Sequence, residues 1–94
     1  MEDNNKKVSI ILSVYNAQNT IGDAIESILN QTYDNIELLI LNDKSNDNTQ
    51  KIIETFDSKK IKVFKNKKNL GLTKSLNILI NHSEGEYIAR QDAD

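Results

Sequence analysis

Apolar and polar positions along the chain repeat with two different periods. Val8-Ser9-Ile10-Ile11-Leu12-Ser13-Val14-Tyr15 is a nearly continuous β-prone run, the pattern of a strand covered on both faces. From Thr20 the period becomes helical, with Ile21, Ala24, Ile25, Ile28 and Leu29 on one stripe and Asn19 or Thr20 at the N-cap. Ile36 to Leu41 predicts a second buried strand, followed by a short helix capped by Asp47 or Asn48 and carrying Ile52, Ile53 and Phe56. Ile61 to Phe64 predicts a third strand. Leu72, Leu76, Leu79 and Ile80 form a third helical stripe, which Gly85 is expected to end as a C′ residue. Glu86 to Arg90 is the fourth strand.

Strand and helix alternate with short joints and no linker. This pattern predicts right-handed βαβ units and an α/β, Rossmann-like three-layer fold. The expected sheet is parallel, of about four strands in the order 3-2-1-4, with helices on both faces. In such a sheet every strand ends on the same edge, and ligands of open α/β sheets bind outside that edge. The residues gathered there are Tyr15 and Asn16, Asn42 and Asp43, Asn66 with Asn69-Leu70-Gly71, and Gln91-Asp92-Ala93-Asp94.

Composition narrows the class. Ninety-four residues allow one domain with a modest core. A net charge of -2 argues against a nucleic-acid partner, which would need a strongly basic face. The chain has no cysteine, so neither a disulfide framework nor a zinc-thiolate site is available. No apolar stretch is long enough to cross a bilayer, and no signal-peptide layout is present. The default expectation is a cytoplasmic protein, with a peripheral position at the inner face of the membrane open to a longer chain.

Absent motifs narrow the ligand. No G-x-G-x-x-G follows the first strand and no G-x-x-x-x-G-K-[ST] is present, which argues against a dinucleotide site and a P-loop. A phospho-receiver domain would want an acidic cluster after the first strand and an acceptor aspartate after the third. This chain has Tyr-Asn and lysines in those places. The single histidine, His82, stands at the end of the third helix, where a C-terminal cap is its expected role. Asp92 and Asp94 are two apart, so on a persisting strand both carboxylates leave the same face. They repel each other unless a cation neutralises them. Oxygen ligands with few protein donors suit Mg²⁺ or Mn²⁺, which completes its shell with water and phosphate oxygens. A D-x-D alone is common. Its position at a strand end, opposite Asp43 and Tyr15, points to a metal-held diphosphate.

Several spaced motifs in order resemble the N-terminal, donor-binding half of family two glycosyltransferases, which have the A-type glycosyltransferase fold. "VSIILSVYNAQNTIGDAIESILNQTYDNIELLILNDKSNDNT" resembles the family's opening strand, its S-I-L-x-Q-T-Y helix end and its D-D-x-S-x-D-x-T turn. "NLGLTKSLN" resembles N-x-G-x-x-x-A-R-N, and "GEYIARQDAD" resembles G-x-Y-I-x-x-x-D-A-D. The resemblance runs from about Val8 to the last residue. It implies that Tyr15, with Ser13 beside it, lines the nucleobase pocket, and that Asp43 accepts a hydrogen bond from the base. It also implies that Asp92 faces the ribose and metal region and that Asp94 ligates the divalent cation. The implied activity is transfer of a sugar, with inversion, from a nucleotide-sugar donor such as a UDP-sugar to an acceptor hydroxyl. The implied acceptor is a glycan or lipid-linked glycan in cell-surface polysaccharide or glycolipid synthesis. A non-catalytic nucleotide-binding or interaction module is the alternative.

The chain departs from the family pattern at Asn42, Lys44, Ser13, Ala17 and Leu76. Asn42 keeps hydrogen bonding but loses a charge, and Leu76 replaces an arginine that could contact the donor. The six lysines 59, 60, 62, 65, 67 and 68 crowd the third strand. The predicted order puts that strand at an edge, which favours charge protection against aggregation over contact with anionic lipid. In the family the acceptor half and general base follow the D-x-D, so residues 1–94 are expected to be a donor-site part that is inactive alone. The fourth strand, with Tyr87, Ile88 and Ala89, has no lysine guard, and an unpaired apolar edge is a template for pairing. The chain is therefore expected to self-associate, most simply as a two-fold dimer through that strand or the surface beside it. Sedimentation equilibrium at tens of micromolar checks this, and a clean monomer with slowly exchanging amides in the fourth strand would contradict it.

Overall fold

The computed structural model describes residues 6–93. Four strands, β1 (Val8–Val14), β2 (Ile36–Asn42), β3 (Ile61–Lys65) and β4 (Tyr87–Arg90), alternate with α1 (Ile21–Leu29), α2 (Thr49–Glu54) and α3 (Leu72–His82). The sheet order is β3-β2-β1-β4 and every pair is parallel. The architecture and strand order read from the sequence are those observed.

The two faces of the sheet follow from the alternation of side chains. Ile10, Leu12 and Val14 of β1 and Leu38 and Ile40 of β2 join Ile21, Ile25 and Ile28 of α1 and Ile53 of α2 in one core. Ile11, Leu39 and Leu41 point the other way and pack against Leu79 of α3, with Phe64 and Leu76 alongside. All seven residues of β2 are buried, as its position inside both layers requires. The β4 strand closes one edge and is exposed throughout, Tyr87 by 55% and Ile88 by 47%.

Several local expectations are corrected. Gly85 is no C′ residue: α3 ends at His82, and Ser83, in an extended conformation, follows it. Gly85 is small because the chain passes too close to β1. An added Cβ would lie 2.6 Å from Ser9 Oγ and 2.7 Å from its backbone nitrogen. His82 stacks on Phe64, with ring centroids 4.6 Å apart, instead of serving as a cap. Thr20 occupies the N-cap of α1 without a side-chain cap bond. At α2 Asn48 has the cap position, but Asp47 Oδ1 accepts the hydrogen bond from the Thr49 N–H at 2.9 Å. The α3 stripe is also rotated. Ser75 and Leu79 are buried, while Leu72 and Ile80 are exposed.

The lysines around β3 divide by partner. Lys62 Nζ sits 3.1 Å from Glu37 Oε1 and 3.6 Å from Glu84 Oε1, and Lys60 pairs with Asp34 at 3.5 Å. Lys7 also reaches Glu37 Oε1, at 3.6 Å. Glu37 itself is buried, its side chain only 3% exposed. Burial alone would raise its pKa. The Ser9 hydroxyl, the Glu84 N–H, Lys62 and the charge of Lys7 outweigh that and lower it to about 2.

A fall from 4.5 to about 2 corresponds to about 3 kcal/mol of stability at neutral pH. Because the folded value is depressed, this stability is present above the ordinary carboxylate range and is lost as pH falls from about 5 towards 2. Asp43, also shifted downward, contributes in the same direction. Glu37→Gln should cost on the order of 3 kcal/mol at pH 7 and flatten, without abolishing, the decline in stability below pH 5. Denaturant unfolding at a series of pH values checks both.

Candidate functional site

The C-terminal edge of the sheet is built from loops that hold one another. Asn16 adopts a left-handed conformation, with φ of 51°. Its side-chain Oδ1 accepts from the Asn46 N–H at 2.9 Å, and its own N–H donates to Ser45 Oγ at 2.9 Å. The next N–H, of Ala17, donates to Thr49 Oγ1 at 2.8 Å. Gln18 closes the seam from both sides: its N–H donates to Asp47 and its Oε1 accepts from the Asn48 N–H. The Asn42-to-Thr49 turn is thereby sewn to the loop that follows β1, and this seam fixes Tyr15. Asn42 turns the chain at its start, accepting from the Ser45 N–H at 3.0 Å and donating to Gln50 at 2.9 Å.

Asp43 organises the next loop. It is 4% exposed. Its Oδ1 accepts from Asn66 Nδ2 at 2.7 Å and the Leu70 N–H at 2.8 Å, and its Oδ2 accepts from the Gly71 N–H at 2.9 Å. Asn69 donates to its backbone oxygen. Burial would raise the pKa of Asp43, but the Asn66 amide and the two backbone N–H groups overcome this and lower it. Gly71, with φ of 89°, takes a conformation that favours glycine as the chain enters α3.

A cavity of about 520 Å³ opens at this edge between β1 and the end of β4. Ser13, Tyr15, Asn16, Thr20, Leu72, Arg90 and Asp92 line it. Tyr15 is half exposed, so its ring is available to a ligand. Asp92 meets Arg90, whose Nε lies 3.2 Å from Oδ1. Three of the residues singled out in the sequence, Ser13, Tyr15 and Asp92, therefore share one cavity. Asp43 stands apart from its lining, its carboxylate committed to the loop before α3. Asp94 lies outside the described residues. Leu76, at the position of the family's arginine, packs against the α3-side core.

Among the described residues no three acidic or histidine side chains converge as a metal cluster. Asp92 offers a hard oxygen donor at the rim of an open cavity, a donor set that fits a divalent cation only if phosphate oxygens or Asp94 complete the shell. Sequence reading missed Asn16, Gln18, Ser45, Asp47 and Thr49 as the seam of the site. The signals for Ser45, Asp47 and Thr49 were the resemblance of "NDKSNDNT" to D-D-x-S-x-D-x-T and its dense Asn, Asp, Ser and Thr content, because such residues bond locally to backbone groups. Among the described residues no helix is long and apolar enough to cross a membrane.

This parallel sheet with polar loops on one edge is the A-type glycosyltransferase fold. The mannosyltransferase PcManGT from Pyrobaculum calidifontis, described in complex with GDP-Man and Mn²⁺, superposes with a TM-score of 0.88. The match covers 95% of this chain and 28% of that one at 24% identity, which shows the fold alone. Staphylococcus aureus TarS 1-349, described in complex with UDP-GlcNAc, also gives 0.88 at 29% identity, over 94% of this chain and 26% of that one. The model of glycosyl transferase family 2 matches residues 9–94, and the chain belongs to that family. In Escherichia coli, a UDP-Glc:alpha-D-GlcNAc-diphosphoundecaprenol beta-1,3-glucosyltransferase, WfgD, is 40% identical over 87 residues. That alignment covers 93% of this chain and 34% of WfgD. The chain spans about a third of the length of the curated relatives it matches.

Asp43→Asn tests the loop anchor. The substitution turns an amide towards backbone N–H donors, at a cost of about 1–3 kcal/mol. Hydrogen exchange at Leu70 and Gly71 should accelerate by roughly tenfold or more, while amides in the middle of β2 follow only the global loss of stability. Exchange measured by NMR separates the two.

Proposed function

We propose that these residues form the donor-binding part of an inverting glycosyltransferase that uses a UDP-sugar. The reading rests above all on one observation: Tyr15 of the loop after β1 and Asp92 of the segment after β4 line the same cavity. An aromatic ring half open to solvent offers a stacking face for a base, and a carboxylate across the cavity offers an anchor for a ribose hydroxyl or a cation. Ser13, on the cavity wall, supplies a hydroxyl beside the ring. Asp43 contributes to base recognition by holding the loop before α3.

Asp92 and Asp94 would hold Mg²⁺ or Mn²⁺ together with the donor diphosphate. When bound, such a cation neutralises charge that develops on the departing diphosphate. Arg90, beside Asp92, adds a fixed positive charge to the same rim. The acceptor is a hydroxyl of a glycan or lipid-linked glycan in cell-surface polysaccharide or glycolipid synthesis, in keeping with the activity named for the Escherichia coli relative. No general-base step is assigned to the described residues.

Titration with UDP and Mn²⁺ tests the reading. Amide shifts should cluster at Ser13 to Ala17 and at Arg90 to Ala93. Tyr15→Ala should weaken UDP binding by about 1–3 kcal/mol, the scale of base–aromatic stacking, and Asp92→Asn should remove most of the dependence on Mn²⁺. Shifts confined to the lysines around β3, or wild-type affinity in Tyr15→Ala, would overturn it.

A further inference from the structure

At the N-terminal edge of the sheet, far from the cavity, polar groups are buried that the donor site does not use. Ser9 is fully buried, and Glu37 opposite it in the β1–β2 ladder is 2% exposed. The Ser9 hydroxyl donates to Glu37 Oε2 at 2.6 Å and accepts from the Gly85 N–H at 2.8 Å. The same Glu37 oxygen accepts from the Glu84 N–H at 2.7 Å. Glu86 N–H then donates to the Lys7 carbonyl at 2.8 Å, and the β4 ladder begins. Two strands thus grip the turn between α3 and β4 through one hydroxyl and one carboxylate.

We propose that Ser9, Glu37 and Gly85 form a register clamp that sets β4 on β1 and so places Asp92 in the cavity. The proposal rests on the donor-site reading for its functional consequence. The physical case starts from β4 itself. Register is strongly specified where one face of a strand is buried and weakly specified where neither is. Each of the four β4 residues is exposed, so side-chain burial selects no register for this strand. Ladder hydrogen bonds do not select one either, since a slipped strand can remake them. The clamp is register-specific, because in the segment between α3 and β4 only Gly85 lacks a Cβ, and its N–H and that of Glu84 are the two that meet Ser9 and Glu37. Gly85 has no room for a side chain: a Cβ would meet Ser9 Oγ, Ser9 N and, at 2.9 Å, Lys7 O.

The consequence is carried along the strand. The pairs Val8↔Tyr87 to Ile11↔Arg90 run without a bulge, and Gln91 N–H still donates to Ile11 O at 3.0 Å. Extending that register by two residues brings Asp92 level with Ser13, and both line the cavity. Asp92 is seven residues beyond Gly85, roughly 20 Å along an extended chain. A slip of one residue would shift Asp92 by about 3.3 Å and turn its side chain to the opposite face. Ser9, Glu37 and Gly85 are positioning residues, acting on the donor through β4.

The clamp needs an acceptor oxygen at position 37, whereas the charge there serves stability. This separates two variants. Gly85→Ala should break the register: the cross-strand NOEs of Ser9–Ile88 and Ile11–Arg90 should disappear while those of Ile11–Leu39 between β1 and β2 persist. Its affinity for UDP with Mn²⁺, read by calorimetry, should fall at least tenfold. Glu37→Gln keeps an oxygen for the Ser9 hydroxyl and the Glu84 N–H, so it should retain register and affinity within about twofold despite its lower stability. Ile25→Val, a core change outside the cavity lining, should likewise lose stability and keep affinity. If Gly85→Ala does not fold, Ser9→Ala takes its place with the same expected result. Retained NOEs in the disruptive variant, shifted NOEs with unchanged affinity, or an equal loss of affinity in Ile25→Val would each overturn the proposal. Failure of the wild-type protein to bind UDP would defeat the donor reading instead, and the NOE pattern would still decide the clamp.

Discussion

The arrangement depends on one constraint: β1 is flanked by β2 and β4, and all three run the same way. Parallel strands bring their C-terminal ends to one edge, so residues far apart in sequence become neighbours without any local attraction between them. The register Val14↔Asn42 puts the polar turn after β2 beside the loop after β1. The register Ile11↔Arg90 brings the end of β4 to the other side of that loop. β2 makes the pairing firm, because its complete burial ties the strand to both hydrophobic layers at once.

Two buried carboxylates, at opposite ends of β2, turn that pairing into a defined shape. Asp43, just after the strand, binds the N–H groups of Leu70 and Gly71 where α3 begins. Glu37, near its start, binds the N–H of Glu84 beyond the end of α3. The helix is therefore pinned at both ends by residues of one neighbouring strand. Asp43 offsets its desolvation with hydrogen bonds from neutral donors, Glu37 with Ser9, the Glu84 N–H and the charges of Lys62 and Lys7, and each has a lowered pKa as a result. α3 needs such anchors. Its apolar contact with the sheet is small: Leu79 is its one buried apolar residue, while Leu72 and Ile80 face outward.

Much of this was legible in the residues. The alternation of β-prone runs with helical stripes is a local property, set by side chains that must reach one or two faces, and it identified every element to within a residue or two. Polar residues at the strand ends marked the edge where the cavity lies, and Tyr15 and Asp92 both line it. The details that escaped were those in which a residue answers to a distant partner. Gly85 looked like a helix terminator because glycine after a helical stripe commonly is one. Its actual reason is the backbone of Ser9, which no local pattern contains. Nothing local marks the partners of Glu37 in the second buried strand, and Asp43, expected to accept from a base, is taken up by the N–H groups of Leu70 and Gly71.

The sequence alone determined the α/β alternation, the parallel order and the family, because these depend on periodicity and on motifs read along the chain. The tertiary structure decided which polar groups are occupied and which are open. Asp43 is engaged by three donors, Asp92 faces a cavity, Lys62 turns inward to Glu37 and β4 stands exposed. The reason is physical. The cost of burying a charge and the direction of a hydrogen bond depend on what lies across the gap, and sequence distance carries no information about that gap until the sheet has closed.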